Sequence, residues 1–198
     1  MMNLFLRSKV LWLLVLSAFS TCGFAQKYEV HPLVGRTAPD KWADLYSMKS
    51  VSVVGVKGAV FANPTTQIEG EFEYLPHFEF RGTDPKTRGL VWGFSVSRNV
   101  FLSNSKIIPF FHVGGGGVTA RNDPPGSVTT TFPDRSITID HNDTFAFVSY
   151  GGGVKALDLI GPVGLRLNIM GRTMPNFFGR GNTWAEFTGG PVFSWGKK

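Results

Sequence analysis

Between Gln67 and Arg81 the chain alternates apolar and polar residues with a period of two. Ile68, Phe72, Tyr74, Phe78 and Phe80 fall on one face, and Glu69, Glu71, Glu73, His77, Glu79 and Arg81 on the other. A helix would scatter both sets around its axis, whereas a strand separates them. The pattern recurs downstream. Leu90, Trp92, Phe94 and Val96 oppose Gly93, Ser95, Ser97 and Asn99. Val163, Leu165, Leu167 and Ile169 oppose Gly164, Arg166, Asn168 and Met170. Ala185, Phe187, Phe193 and Trp195 oppose Trp184, Glu186, Thr188 and Ser194. With the Gly, Pro, Asn and Asp punctuation between such runs, eight strands are predicted over 28–37, 50–61, 67–81, 88–101, 106–121, 144–157, 162–172 and 183–195.

The connections alternate in length. Those after the second, fourth and sixth strands (62–66, 102–105 and 158–161) are short, and those after the first, fifth and seventh form longer loops at 38–49, 122–143 and 174–182. The link at 82–87 is short where the pattern asks for length. An even number of strands of about ten residues, with short turns at one end and long loops at the other, is the layout of an outer-membrane barrel. Tilted strands of that length cross the hydrocarbon layer, and closure leaves no unpaired backbone in lipid. The predicted fold is therefore all-β, an eight-stranded antiparallel up-and-down transmembrane β-barrel. An interior of that size is filled by side chains and leaves no open pore.

Alternation alone does not say which face looks inward. Phe72, Tyr74, Phe78, Phe80, Trp92, Phe94, Phe187, Phe193 and Trp195 would crowd a narrow lumen but have unlimited room against lipid. The polar set, turned inward, holds both signs of charge. Lys57, Glu71, Glu73, Glu79, Lys155, Arg166 and Glu186 are the expected interior network, because buried charges must be paired. The opposite orientation gives a secreted soluble barrel of the lipocalin kind, with a small apolar ligand inside.

The N-terminus adds to this picture. Arg7 and Lys9 precede an apolar stretch from Val10 to Leu16, and small residues lead to Gly23-Phe24-Ala25. This reads as a secretory signal peptide over 1–25, with the barrel domain over 26–198; Cys22 as a lipid-attachment site is the minor alternative. Loss of Arg7 and Lys9, two of the 20 basic residues, takes the formal net charge from +6 to +4 and leaves no Cys. Charged residues make up 17%, against about 25% in an average soluble domain. The basic balance lacks the runs with interleaved aromatics that nucleic-acid binding needs, so no nucleic acid is expected as a partner.

Gly114–Gly117 and Gly151–Gly153 are not phosphate-binding loops, since no Lys-Ser/Thr follows either run. They read instead as small patches on adjacent strands, brought together for close backbone approach, curvature or room for large interior neighbours.

Pro109–Gly116, Tyr150–Val154 and Val163–Leu167 resemble segments of the OmpA-like outer-membrane β-barrel family, and Phe187–Trp195 looks like its final strand. The resemblance is strongest from Pro109 onward. It implies a small eight-stranded barrel inserted by the outer-membrane assembly machinery, which favours a final strand ending in an aromatic residue. Phe193 and Trp195 would supply that end, with Gly196-Lys197-Lys198 beyond it. No peptidoglycan-binding domain is expected beside the barrel, so the wall-anchoring role of longer relatives is not carried over.

Catalytic and metal chemistry is sparse. His31, His77 and His112 lie on predicted strands without ligand spacing, and Asp140-His141-Asn142-Asp143 lacks the Gly and distal Glu of a calcium loop. Outer-membrane lipid A deacylases carry a His-x-Ser pair near the end of the seventh strand; the corresponding Arg172–Asn176 has neither residue. The expectation is a monomeric, non-enzymatic outer-membrane barrel with no cofactor and no metal, set in outer-membrane lipid, with a structural or surface-interaction role in its loops. A lipid-acting barrel hydrolase is the minor alternative.

Overall fold

The alternating segments pair with their neighbours until the last meets the first. The computed structural model describes residues 27–39, 50–76, 86–100, 106–123, 127–131, 136–139, 142–177 and 180–196. Its strands are β1 (Lys27–Pro39), β2 (Ser52–Asn63), β3 (Thr66–Leu75), β4 (Lys86–Asn99), β5 (Ile107–Asp123), β6 (Val128–Thr131), β7 (Ser136–Ile139), β8 (Asn142–Ile160), β9 (Val163–Phe177) and β10 (Arg180–Gly196). Eight of them close a barrel in the order β1-β10-β9-β8-β5-β4-β3-β2, while β6 and β7 form a separate hairpin within the longest connection. Every pairing is antiparallel. The closing ladder runs from Lys27 opposite Gly196 to Pro39 opposite Trp184, and the rings of Tyr28 and Trp195 stack across it at 6.2 Å. The fold is the predicted all-β eight-stranded barrel.

Short turns lie at the end of the barrel that holds Lys27 and Gly196. Asn63 Oδ1 accepts hydrogen bonds from the backbone N–H groups of Thr65 and Thr66 at 3.0 and 2.9 Å, an Asx turn linking β2 to β3. Gly161 turns β8 into β9 with φ of +59°, a left-handed conformation that an L side chain adopts at a cost, and Pro162 follows.

Several predicted boundaries need correction. The third strand ends at Leu75, ahead of a bend at Pro76, and β4 begins at Lys86. Residues 77–85, which hold the rest of the predicted third strand and most of the predicted 82–87 link, lie outside the described residues. The predicted loop 174–182 is mostly strand, since β9 runs to Phe177 and β10 starts at Arg180. Pro175 reads as a strand breaker, yet it is tolerated because the ladder is already interrupted there by a register shift between Arg180 and Asn182. The predicted loop 122–143 likewise contains the β6–β7 hairpin.

The two glycine runs are on adjacent strands but do not oppose each other. The register sets Gly114–Gly117 against Ser149–Ala146, and Gly151–Gly153 against His112–Phe110. A Cβ at Gly114, Gly115, Gly116, Gly151, Gly152 or Gly153 would meet a neighbouring strand's carbonyl oxygen first, so these glycines serve close backbone approach, and some interior glycines also make room for a ring. A Cβ at Gly153 would stand 2.8 Å from the Phe110 ring, and one at Gly93 would stand 3.2 Å from the ring of Phe147. Phe110 and Phe147 thereby fit inside a lumen that would otherwise be too narrow for them.

Candidate functional site

Burial alternates along the barrel strands in the sense opposite to that of a soluble protein. Glu69 and Glu73 of β3 are buried, while Ile68 and Phe72 between and beside them are about half exposed. Trp92, Phe94 and Val96 of β4 face outward, with Phe94 71% exposed, and Ser95, Ser97 and Asn99 face the lumen. Leu165, Leu167 and Ile169 of β9 are exposed, and Arg166, Asn168, Met170 and Arg172 are not. The outer wall is thus apolar and the interior charged.

The interior charges are arranged as struts across the barrel. In the closed strand order, β3 and β9 lie diametrically opposite, with three strands between them on either side. Arg172 of β9 donates to Glu73 of β3 at 2.6 Å and lies 3.3 Å from carboxylate oxygens of both Glu71 and Glu186. Lys57 of β2 pairs with Glu71 at 2.8 Å and approaches Glu73 at 3.8 Å. Two residues of β9 nearer the turns form the next strut. Arg166 holds Glu69 through two parallel hydrogen bonds of 3.0 and 2.9 Å, and its Nε donates to Asn168 at 2.8 Å. Bidentate pairing of this kind fixes orientation as well as distance. A third strut runs from Lys155 of β8 to Glu29 of β1 at 3.0 Å and to Gln67 of β3 at 2.7 Å.

Aromatic rings fill the space between the struts. The guanidinium of Arg166 stands 4.3 Å from the Phe110 centroid, that of Arg172 stands 4.9 Å from Phe147, and Lys155 lies 5.6 Å from both Phe61 and Phe110. Each cation gains from the ring face without requiring a further anion. His31 Nδ1 donates to the Pro191 carbonyl at 2.9 Å, which leaves Nε2 to accept from Asn168 at 3.2 Å. On the β4–β5 wall, Ser97, Asn99 and His112 are buried with side-chain atoms that meet no protein partner, a polar setting of the kind that holds internal water.

Toward the long-loop end the lumen changes character. Leu33, Val51, Val53, Leu75, Val91, Val118, Phe147, Met174 and Trp184 pack into one apolar cluster. This packing forms an apolar stopper that adjoins the Arg172 strut, since Phe147 lies against the Arg172 guanidinium.

Of the seven expected network residues, Lys57, Glu71, Glu73, Lys155, Arg166 and Glu186 all line the lumen. The structure joins Lys57, Glu71, Glu73 and Glu186 around Arg172 and sets Arg166 and Lys155 in the two other struts. Glu79 lies outside the described residues, as do residues 1–26, His77, Phe78, Phe80 and His141. Arg172, Glu69, Glu29 and Gln67 are the partners that the expected network lacked. Arg172 could have been found by extending the alternation of β9 by one step, and Glu69 already stands on the polar face of its strand beside Glu71 and Glu73. Phe193 and Trp195 face outward near the end of β10. Among the described residues, no group of three His, Cys, Asp or Glu side chains is placed to hold a metal ion.

No family model and no curated protein matches the sequence. Solved structures do match the fold. Neisserial surface protein A is similar with a TM-score of 0.59 at 11% identity, over 85% of this chain and 96% of its own. Ail, the attachment invasion locus protein of Yersinia pestis, crystallised with the heparin analogue sucrose octasulfate, gives a TM-score of 0.52 at 11% identity, covering 85% and 97%. The N-terminal β-barrel domain of Pseudomonas aeruginosa OprF gives 0.50 at 9%, covering 86% and 98%. At these identities the likeness concerns the backbone alone. The chain has the closed, eight-stranded antiparallel barrel fold of the small outer-membrane proteins.

Proposed function

We propose that this chain is a non-enzymatic bacterial outer-membrane barrel, exported by its first 25 residues and inserted as a monomer by the outer-membrane assembly machinery. It would hold its loop-end segments, including the β6–β7 hairpin, at the cell surface for a structural or surface-interaction role. The observation that carries this reading is the inverted pattern of burial. The exposed wall bears Phe72, Trp92, Phe94, Phe111, Leu165, Leu167, Ile169 and Phe187, an extensive apolar surface that water would not tolerate and lipid would.

The interior supports a scaffold in preference to a carrier or a channel. An apolar ligand would have to displace paired charges such as Arg166 and Glu69, and an ion would have to pass the apolar stopper around Trp184. His31 and His112 turn into the lumen, away from a lipid substrate at the outer wall. The outward aromatic end at Phe193 and Trp195 supports recognition by the assembly machinery.

The test is fractionation after expression with the native N-terminus, followed by electrophoresis with and without boiling. An outer-membrane band whose mobility shifts on heating is expected, together with removal of about 25 residues. Recovery of the chain in the soluble fraction without detergent would overturn the reading.

A further inference from the structure

The outer wall is indented where β2, β3 and β4 run side by side. Gly58 and Gly70 stand directly opposite each other at outward positions. A Cβ at Gly58 would meet nothing within 4 Å, and one at Gly70 would meet only the Phe94 ring, at 3.6 Å. Val56, Phe72, Trp92 and Phe94 rim the depression, a groove of about 330 Å³. Toward the turns the wall continues through Ile68 and Val96 to Arg98, which is exposed on the same face and opposite Thr66. Arg98 is four residues from Phe94, about 13 Å along the strand at about 3.3 Å per residue. With a tilt of about 40°, that is roughly 10 Å along the membrane normal, within a hydrocarbon half-thickness of about 15 Å.

We propose that one anionic phospholipid of the turn-side leaflet docks here, with its phosphate on the Arg98 guanidinium and one acyl chain in the Gly58–Gly70 groove. This rests on the membrane-spanning reading above. Charge and spacing select the occupant. Arg presents a planar fork that matches phosphate oxygens, and the groove begins where an acyl chain hanging from that phosphate would reach. A second copy fits less well, because a two-fold axis along the membrane normal would bring two Arg98 side chains together at one level.

The experiment uses the chain folded into phosphatidylcholine vesicles containing a minor fraction of phosphatidylglycerol. The inserted fraction is read by the heat-dependent mobility shift, and retained lipid is counted by native mass spectrometry after extraction. The wild type is expected to retain one phosphatidylglycerol in preference to phosphatidylcholine. Arg98→Gln should lower that preference about fivefold, the factor one basic residue contributes at a membrane surface. Gly58→Leu fills the groove and should reduce retention of either lipid while the mobility shift persists. If Gly58→Leu does not fold, Arg98→Gln decides alone. Equal retention of both lipids by the wild type, retention unchanged by the substitutions, or a dimer occupying the groove would overturn the proposal. Failure to insert at all would overturn the membrane reading and this proposal with it, whereas insertion without selective retention strikes only the proposal.

Discussion

Replacing Arg172 by Met removes the one cation that three interior carboxylates share. Arg172 is fully buried; it bonds Glu73 at 2.6 Å and lies 3.3 Å from Glu71 and Glu186. Without it, Lys57 remains among the described residues, 2.8 Å from Glu71 and 3.8 Å from Glu73. Breaking a buried pair from one side costs about 3–5 kcal/mol, because the partner charge stays behind uncompensated. An exposed pair would cost only about 0.2–1 kcal/mol. Glu73→Gln should cost less than Arg172→Met, since Arg172 then keeps Glu71 and Glu186. In the triple variant Arg172→Met, Glu73→Gln, Glu186→Gln, the excess negative charge is gone, and more than half of the lost stability should return. The assay is urea unfolding of the vesicle-embedded protein, followed by tryptophan fluorescence and checked by the heat-dependent mobility shift. A loss below about 1 kcal/mol for Arg172→Met would refute the reasoning, since that is the range of exposed pairs. Failure of the two Gln substitutions to restore stability would refute it equally.

Further outcomes follow from the same structure. Gly116→Ala should destabilise the barrel by about 1–3 kcal/mol, the usual cost of overpacking, because its Cβ would collide with the Trp92 carbonyl oxygen. Gly58→Ala, with nothing within 4 Å, should be neutral or slightly stabilising in the same urea titration. In planar bilayers the wild-type barrel should show no steady conductance, because the cluster of Leu33, Val91, Met174 and Trp184 closes the loop end of the lumen. A stable open channel in the wild type would contradict the stopper.

The fold was legible because the contrast between faces is strong wherever the lumen is charged. Along β3, Glu69, Glu71 and Glu73 alternate with Ile68, Phe72 and Tyr74, and the phase is unmistakable. Near the long-loop end the contrast inverts. Val51 and Val53 point into the stopper while Ser52 is exposed, and on β1 Leu33 is buried while Arg36 is exposed. A lumen that turns from charged to apolar along a single strand therefore hides the phase of β1 and β2. The same change hid Glu29, which alternates with Tyr28 and Val30 but is followed on its own face by His31 and Leu33.

The site was less legible than the fold, for two different reasons. Ion pairing across a lumen depends on which strands face each other, and alternation within a strand carries no such information. Arg172 and Glu73 are 99 residues apart and meet only because four pairings on each side place β9 opposite β3. The β6–β7 hairpin was missed because its strands are four residues each and lie in a polar, Thr-rich connection. Its visible support, a hydrogen bond between Thr129 and Thr138 at 2.9 Å, is cross-strand and local.

If lipid surrounds the apolar wall and charge fills the interior, tryptophans on the two faces differ in their access to the bilayer. Variants that retain a single tryptophan, either Trp92 or Trp184, test it directly when folded into vesicles of brominated phospholipid. Trp92 is 43% exposed on the outer wall, and Trp184 is 1% exposed within the stopper. Strong bromine quenching of Trp92 with little quenching of Trp184 is the predicted result. Equal quenching of the two, or none of Trp92 in a chain shown to be folded, would contradict the account.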